Sequence, residues 1–324
     1  MNLRIVTPAP LSFRNGNNIT ALRWTRLLRR LGHKVTIAQS YDTGRCDLLI
    51  ALHARRSYPS IRRFHELRPG APLVVVLTGT DLYRDLRVSR AARHSLQLAT
   101  RIVVLQAMAL RKLPGPLHGK TRVIYQSAER VTPKTPPQWD ARPFRICVVG
   151  HLRSEKDPLR AAFAARRLRA DSRVQIVQVG RALDHRLAAR AREEMKRNPR
   201  YRWIGELPHA QTRRLLAASH VSLITSRIEG SSNVLSESIA SSVPVIASKI
   251  SGLIGTLGND YPGYFPPGDT EKLAALLDKA ERDRGFYRAL QRACARLKGL
   301  IDPGREARAW RSLLGELRAS ARRT

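Results

Sequence analysis

Short apolar runs of four to six residues alternate along this chain with segments of helical periodicity. The runs are continuously apolar, which is typical of strands in a parallel sheet with helices on both faces. In the first half, strands are predicted at residues 3–7, 34–38, 48–52, 73–78, 102–105 and 122–125. In the second half, they are predicted at residues 145–150, 174–179, 221–225 and 243–247. This order of elements predicts an α/β fold with two doubly wound domains, whose ligands bind at the carboxyl ends of the strands.

A proline-rich stretch separates the two series of strands. Residues 131–143 contain four prolines in thirteen positions, and such a density breaks both helices and strands. We therefore predict an N-terminal domain over residues 1–130, a linker over 131–143, a second domain over 144–303 and a final helix over 304–324.

Helices are predicted at residues 19–31, 159–169, 185–196, 211–218 and 233–241, and the sequence has helical periodicity from residue 270 almost to its end. In the first of these helices, one apolar face is predicted to contain Ile19, Leu22, Leu27, Leu28 and Leu31. The last segment, residues 305–323, is basic and is expected to pack on a domain surface through Trp310, Leu313, Leu314 and Leu317.

The charge of the chain is strongly positive. Its 324 residues include 59 Lys and Arg, of which ten are Lys, against 25 Asp and Glu, giving a formal net charge of +34. A polyanionic partner and a solvated coat of arginines are both compatible with this excess.

The three cysteines, Cys46, Cys147 and Cys294, are too far apart in sequence to indicate a disulfide framework or a zinc site. With no signal-peptide core and no apolar run near the length of a membrane span, a reduced cytoplasmic protein is expected.

The most specific local pattern follows the predicted strand 221–225. Glu229 precedes a helix that contains Glu237, and Asn233 is placed to cap that helix. Carboxylates accept hydrogen bonds from sugar hydroxyls, while the amides of a helix N-terminus can hold phosphate. The same pattern also fits a capped surface helix with ordinary acidic residues. The candidate ligand-binding residues here are Glu229, Gly230, Ser231, Ser232, Asn233, Val234 and Glu237.

A second pattern lies directly after the predicted strand 145–150. His151, Arg153 and Lys156 follow this strand, at the position where doubly wound folds bind their ligands. Arg and Lys can both neutralise a phosphate. Because the chain contains many arginines, the position in the fold carries this inference more than the residue type.

The first domain contributes polar loops after three of its strands. Gly16, Asn17 and Asn18 can approach an anion through the backbone and amide groups. His53, Thr80 and Asp81 follow two neighbouring strands and are candidates for acid/base or sugar-positioning roles. The sequence contains neither a G-x-G-x-x-G nor a Walker loop, which disfavours nicotinamide and ATP chemistry. It also has no D-x-D pair, so no metal ion is predicted.

Together, these residues resemble those of GT-B glycosyltransferases of the large group-1 superfamily, over nearly the whole chain. The resemblance implies two Rossmann-like domains facing a central cleft, with the C-terminal helix crossing back to the N-terminal domain. It implies that Glu229 approaches the hydroxyls of the donor sugar, that Glu237 binds the nucleotide ribose, and that Arg153 and Lys156 bind the donor diphosphate. Many members carry Arg where this chain has His151, a departure that concerns the diphosphate site.

Five short motifs resemble the selenosugar synthases of selenoneine biosynthesis. They are GNN at 16–18, LHARRS at 52–57, TGTDLY at 78–83, GHLR at 150–153 and DYPGYF at 260–265. The resemblance implies a metal-independent Leloir enzyme that joins the sugar of UDP-glucose or UDP-N-acetylglucosamine to selenophosphate through a carbon–selenium bond. The residues expected to act in catalysis are His53, Asp81, Lys156 and Glu229, and those expected to bind the acceptor are Gly16, Asn17, Asn18 and Thr80.

Two other functions remain open at this stage. A glycosyltransferase acting on a lipid carrier or another oxygen acceptor is suggested by the basic segment 22–34. A nucleic-acid-binding protein is suggested by charge alone, without a binding motif. For the selenosugar synthase, we expect small-molecule substrates, no cofactor, no specific nucleic acid, no stable membrane association, and contact at most with the next enzyme of the pathway.

Overall fold

The computed structural model describes residues 1–13 and 15–321, which form two compact units. The first unit comprises Met1–Ser127, Glu229–Asn233 and Pro303–Thr324, and the second comprises Ala128–Ile228 and Val234–Asp302. Each unit contains a six-stranded sheet whose strand pairings are all parallel. The predicted α/β class with two Rossmann-like sheets is therefore confirmed. Arg14, in the predicted loop after the first strand, and Arg323, at the end of the predicted final helix, lie outside the described residues.

The sheet of the first unit has the strand order β2-β1-β3-β4-β5-β6. Because the order reverses between β1 and β3, the loops after these two strands flank the switch point of the sheet. The central strands β3 and β4 are buried at every residue, which explains why their sequences are continuously apolar. The strands are β1 Asn2–Val6, β2 Lys34–Ala38, β3 Leu48–Leu52, β4 Leu73–Leu77, β5 Arg101–Val104 and β6 Thr121–Val123.

Helices cover both faces of this sheet. The Asn15 side chain caps the first helix by accepting a hydrogen bond from the Asn18 amide, at 2.9 Å. After strand β4, the segment Asp81–Asp85 forms a π-helical turn. The helices are α1 Gly16–Arg30, α2 Tyr58–Leu67, α3 Leu86–Val88 and α4 Arg90–Leu98, with 3₁₀ turns at Ala107–Lys112 and Gly115–Lys120.

The sheet of the second unit has the strand order β12-β11-β10-β7-β8-β9. Its switch point lies between β7 and β10, so the loops after these strands are where this fold places a ligand. The strands are β7 Phe144–Val149, β8 Val174–Val179, β9 Tyr201–Trp203, β10 Val221–Ile224, β11 Val245–Ser248 and β12 Tyr264–Phe265. The helices are α5 Arg160–Ala165, α6 His185–Arg197, α7 His209–Ala217, α8 Asn233–Ala240, α9 Ser251–Leu257, α10 Thr270–Arg282 and α11 Arg284–Arg296.

The last helix, α12 (Pro303–Ala321), belongs to the first unit and completes its core. Trp310 on this helix packs edge-on against Trp24 of α1, with ring centroids 4.7 Å apart, and both rings are fully buried. Large aromatic rings contribute strongly to core stability because each removes much apolar surface from water. The predicted return of the C-terminal helix to the N-terminal domain is therefore confirmed, as is the burial of Leu313, Leu314 and Leu317.

Several predicted details are wrong. Leu22 is predicted on the buried face of α1 but is 43% exposed. The face that packs toward Trp310 is instead the one that carries Trp24. Strands β9 and β12 were missed, and β11 begins at Val245 and not at 243. The helix predicted at 159–169 ends at Ala165, since the Arg167 amide bonds three residues back to the Ala164 carbonyl, which tightens the turn.

Candidate functional site

The loop after β7 carries the predicted basic residues. Thr225, just past β10, donates its hydroxyl to the carbonyls of Lys156 and Asp157, at 2.8 and 3.1 Å. Asp157 has the left-handed conformation, with φ of 43°, so the chain turns sharply after Lys156. The loop is thus fixed to the neighbouring strand of the switch point, and the backbone around Lys156 has a defined position.

Two predicted side chains of this loop have distinct environments. His151 Nδ1 accepts a hydrogen bond from the Arg181 amide, at 3.1 Å, so the histidine is tied to the loop after β8. The backbone of Gly150 and His151 packs directly against Gly180. An added Cβ at Gly180 would lie 2.0 Å from the Gly150 carbonyl oxygen. Arg153 Nε is buried and has no hydrogen-bond partner among the described residues. A buried donor of this kind is costly unless another group satisfies it, which fits a cation whose bound anion would complete its contacts.

The side chain of Glu237 lies one turn into α8, as predicted, and is 9% exposed. Its Oε1 is 2.6 Å from Nε2 of His209, the first residue of α7. His209 is not among the predicted site residues, because it is 28 residues away from Glu237 along the chain. The only local signal was its place just before a predicted helix.

The segment Glu229–Asn233 is part of the first unit and lies against the loop after β4. A Cβ at Gly230 would lie 2.3 Å from the carbonyl oxygen of Thr78, and a Cβ at Gly79 would lie 3.0 Å from the Gly230 amide. These are direct backbone approaches, and only glycine leaves room for them. Glu229 is 8% exposed, and Ser231 and Val234 are half-buried, whereas Ser232 is buried.

Asn233 is held by α1 rather than standing alone as a helix cap. Its Oδ1 accepts a hydrogen bond from Arg23 Nη1 at 2.8 Å, and its Nδ2 donates to the Gly16 carbonyl at 3.3 Å. Arg23 in turn forms an ion pair with Glu306, at 3.2 Å. Glu306 is buried and also accepts the indole N–H of Trp24, at 2.7 Å. This network is not predictable from local sequence patterns, because Glu306 and Arg23 are 283 residues apart in the chain.

Asp81 is fully buried, and its carboxylate organises two loops of the first unit. Its oxygens accept the backbone amides of Thr78, Gly79 and Leu82, and that of Ala54 after β3, at 2.8–3.2 Å. The carboxylate therefore has its acceptor positions filled by backbone donors. This arrangement gives Asp81 a structural function and differs from the predicted acid/base role, which needs a carboxylate that reaches the substrate.

His53 follows β3, is almost fully buried and has a positive φ of 76°. Its Nδ1 accepts the Arg56 amide at 3.3 Å, and its Nε2 is 3.0 Å from Thr80 Oγ1. A backbone amide can only donate, so the neutral ring must carry its proton on Nε2 and donate it to Thr80. Burial lowers the pKa of His53 and thereby favours this neutral form, although the nearby Asp81 carboxylate acts in the opposite direction.

The hydrogen bond from His53 determines where the Thr80 hydroxyl can point. Because His53 donates to the Thr80 oxygen, the hydroxyl proton of Thr80 must point to another acceptor. Thr80 is half-buried, whereas His53 is covered. Of these two side chains, Thr80 is therefore the more accessible to solvent.

The three predicted acceptor residues at the start of α1 have different surroundings. Asn18 is buried, and its amide group donates to the carbonyls of Pro10 and Phe13, both at 2.7 Å, while its Oδ1 accepts the Thr7 hydroxyl. Asn18 thus shapes the loop, in contrast to the predicted contact with an anion. Gly16 is exposed and Asn17 half-buried, so both stay accessible.

Among residues 1–13 and 15–321, no group of three or more His, Cys, Asp or Glu side chains is placed to hold a metal ion. In the same part of the chain, no helix combines the length and apolar character that crossing a membrane would need.

Comparison with known proteins defines the class. The sequence model of the family described as glycosyl transferases group 1 matches residues 133–296, just over half of the chain. The chain therefore belongs to this family of glycosyltransferases. No curated protein sequence matches it.

Solved structures agree on the fold. HepE from Anabaena, solved in complex with UDP and glucose, superposes with a TM-score of 0.78 at 16% identity, covering 98% of this chain and all of that one. Sucrose-phosphate synthase from Thermosynechococcus elongatus gives 0.76 at 18% identity, covering 98% and 99% of the two chains. A glycosyltransferase from Rickettsia africae gives 0.71 at 15% identity, with 98% of both chains covered. At these identities the similarity shows the shared GT-B fold.

Proposed function

We propose that this glycosyltransferase transfers the sugar of UDP-glucose or UDP-N-acetylglucosamine to selenophosphate, as a selenosugar synthase. The donor half rests on one observation: the basic loop after β7 and Glu237 of α8 both belong to the second unit, in a chain of this family. Structures of HepE contain UDP-glucose or UDP, which supports a uridine nucleotide as the donor carrier. The acceptor half is supported by the motifs shared with selenosugar synthases.

In this proposal, the donor is held by charge and by hydroxyl recognition. Lys156 and Arg153 stabilise the negative charge that develops on the leaving diphosphate, together with the amides at the start of α8. Glu237 accepts hydrogen bonds from the ribose, and Glu229 from the sugar. No step requires a metal ion.

The reaction breaks one bond and forms one at the anomeric carbon. Selenium donates an electron pair to this carbon, the carbon–oxygen bond to UDP breaks, and UDP leaves with that bond's electrons. The immediate product is a sugar linked through selenium to a phosphoryl group, and hydrolysis of the selenium–phosphorus bond then releases the selenosugar and phosphate. In this proposal, Thr80, which accepts a hydrogen bond from His53, positions a substrate oxygen, whereas Asp81 keeps the two loops in place.

Mass spectrometry tests this proposal directly. The purified protein is incubated with each UDP-sugar, with and without freshly generated selenophosphate. We expect UDP and a selenium-containing sugar only in the complete mixture, and loss of product in the Glu237→Ala variant, together with weaker UDP binding in calorimetry. Release of UDP with no selenium in the product would retain the donor assignment and overturn the acceptor.

A lipid-linked acceptor is the alternative that one observation favours. Leu22 is exposed on α1 beside the exposed Arg26, Arg29 and Arg30, a combination that suits an anionic membrane surface. Cosedimentation with anionic liposomes at 150 mM salt that is lost on Leu22→Ala would support it.

We place the selenosugar reaction in the cytoplasm, which the three buried, unpaired cysteines support.

A further inference from the structure

The side chain of Asn233, at the end of the segment Glu229–Asn233, is directed at helix α1 of the same unit. Its Oδ1 accepts from Arg23 Nη1 at 2.8 Å, and its Nδ2 donates to the Gly16 carbonyl at 3.3 Å and lies 3.5 Å from the Thr20 hydroxyl. Gly16, Thr20 and Arg23 are four and three residues apart, so they share one face of α1. Both polar atoms of the Asn233 carboxamide thus have partners within the first unit.

Arg23 is itself held at two points by Glu306. Its Nε lies 3.2 Å from Oε2 of Glu306, and its Nη2 lies 3.4 Å from Oε1. Glu306 is 1% exposed and also accepts the Trp24 indole N–H and the Ser127 amide, so the carboxylate cannot turn freely. Because the guanidinium group is planar and rigid, fixing Nε and Nη2 also fixes the direction of Nη1, which faces Asn233.

The segment Glu229–Asn233 is therefore fixed at two positions. Gly230 packs against the backbone after β4, where an added Cβ would lie 2.3 Å from the Thr78 carbonyl oxygen. Asn233 is fixed to α1 by Arg23, three residues further along the chain. Glu229 directly precedes the first of these positions, so its backbone is held as well. Small displacements of such groups matter, since a shift of about 1 Å in a binding site can lower a rate about a hundredfold.

We propose that Arg23 is a positioning residue for sugar transfer, and that it acts through Asn233 on the segment that carries Glu229. The buried Glu306 fixes Arg23, Arg23 fixes Asn233, and the segment then holds Glu229 where the sugar of the donor binds. The inference rests on the proposed function for the contact between Glu229 and that sugar. Arg23 touches no substrate, and its effect reaches the reaction through this series of hydrogen bonds.

The experiment uses Arg23→Lys, Asn233→Ala and the double variant of the full chain. Lysine can keep the ion pair with Glu306, but with a single nitrogen it cannot also replace Nη1 at Asn233. The measurement is kcat/KM for UDP release from the UDP-sugar in the presence of selenophosphate. We expect each single variant to lower it about tenfold and the double variant to be no worse than either, because the two residues act in one series of contacts. Arg26→Lys, at an exposed position of the same helix, is the matched control and should keep wild-type kinetics.

Urea unfolding and the double variant separate positioning from a merely structural role. Arg23→Lys should unfold at about the wild-type urea concentration, because Glu306 keeps its charged partner. Losses that multiply to about a hundredfold in the double variant would show that Arg23 and Asn233 act independently, and would overturn the proposal. Unchanged kcat/KM in Arg23→Lys would overturn it as well.

Ligand binding without an acceptor distinguishes this inference from the proposed function. Calorimetry compares UDP with UDP-glucose and UDP-N-acetylglucosamine. In Arg23→Lys, we expect the Kd of the bound UDP-sugar to rise about tenfold and that of UDP about threefold at most, since UDP lacks the sugar. An equal loss for both ligands would overturn the role in sugar positioning. If the UDP-sugar shows this dependence on Arg23 but wild type forms no selenosugar, the positioning role stands while selenophosphate as acceptor fails.

Discussion

Nε2 of His209 lies 2.6 Å from Oε1 of Glu237, which joins the first turn of α7 to α8 within the second unit. The histidine is 42% exposed, while the carboxylate is almost covered. A carboxylate held at one oxygen keeps its second oxygen in a fixed direction, so His209 acts as a positioning residue for Glu237.

We expect His209→Ala to weaken UDP binding about tenfold or more, since hydrogen bonds to charged groups contribute about 1.5–3 kcal/mol. His209→Gln, which can still donate a hydrogen bond, should recover part of the affinity. Calorimetry with UDP gives the measurement, and kinetics should show a raised KM for the UDP-sugar with a smaller change in kcat. His185→Ala, at the exposed first position of α6, is the matched control. Equal UDP affinity in His209→Ala and wild type would contradict the role.

Glu306→Ala should strongly destabilise the first unit. The buried carboxylate contacts Arg23 and the Trp24 indole, and it also accepts the Ser127 hydroxyl. Removing one member of a buried ion pair costs about 3–5 kcal/mol, because the remaining groups lose their partner. Glu316→Ala is the control: Glu316 is 30% exposed and pairs with Arg101 and Arg122, and such surface pairs contribute about 0–1 kcal/mol. Urea unfolding measures the free energy of unfolding of both variants. A similar loss of stability in the two would contradict the expectation that the buried Glu306 contributes more than Glu316.

Gly230→Ala is expected to disturb the contact with the loop after β4. Its Cβ would lie 2.3 Å from the Thr78 carbonyl oxygen, so the backbone must shift, at a cost of about 1–3 kcal/mol. Gly315→Ala provides the opposite case, since Gly315 lies on an exposed position of α12 with nothing within 4 Å of an added Cβ. This control should gain about 0.5–1 kcal/mol. Thermal unfolding and sugar transfer are measured together, and a fully active, equally stable Gly230→Ala variant would show that the contact is not tight.

His53 should make the folded protein less stable in acid. Burial lowers its pKa below the ordinary value of 6.5, so between that value and the lowered one the unfolded chain binds more protons than the folded chain. Stability therefore rises with pH in this range and is lost on acidification, by up to about 1.4 kcal/mol per pH unit.

The measurement compares wild type with His53→Gln by urea unfolding at pH 7.5 and 5.5. The variant should lose less stability than wild type over this interval. His33 and His220, whose pKa values burial also lowers, contribute to both proteins and cancel in the comparison. His65→Gln, at an exposed position of α2, should retain the wild-type pH dependence. An unchanged dependence in His53→Gln would mean that His53 takes up a proton in the folded state as readily as in the unfolded one.

The sequence predicted the sheets well because strands that are buried on both faces must be continuously apolar. The strand predictions at 48–52 and 174–179 match the observed bounds, and Glu237 lies on a helix as expected. Strands β9 and β12 were missed because three and two residues are too few for a periodicity to appear. Both strands form because each is hydrogen-bonded to a neighbouring strand of its sheet.

The site was harder to predict, because its polar side chains are assigned by tertiary contacts. Asn18 and Asp81 have the residue types of ligand-binding groups, yet backbone amides and carbonyls occupy their side chains.

The packing of Trp310 on Trp24 sets an order on biosynthesis. Residues 1–127 of the first unit are translated before α12, the helix that completes their core. Until then, the indole of Trp24 and its apolar neighbours on α1 have no cover. A nascent chain that stalls before α12 therefore exposes this apolar surface, and exposed apolar surface promotes aggregation.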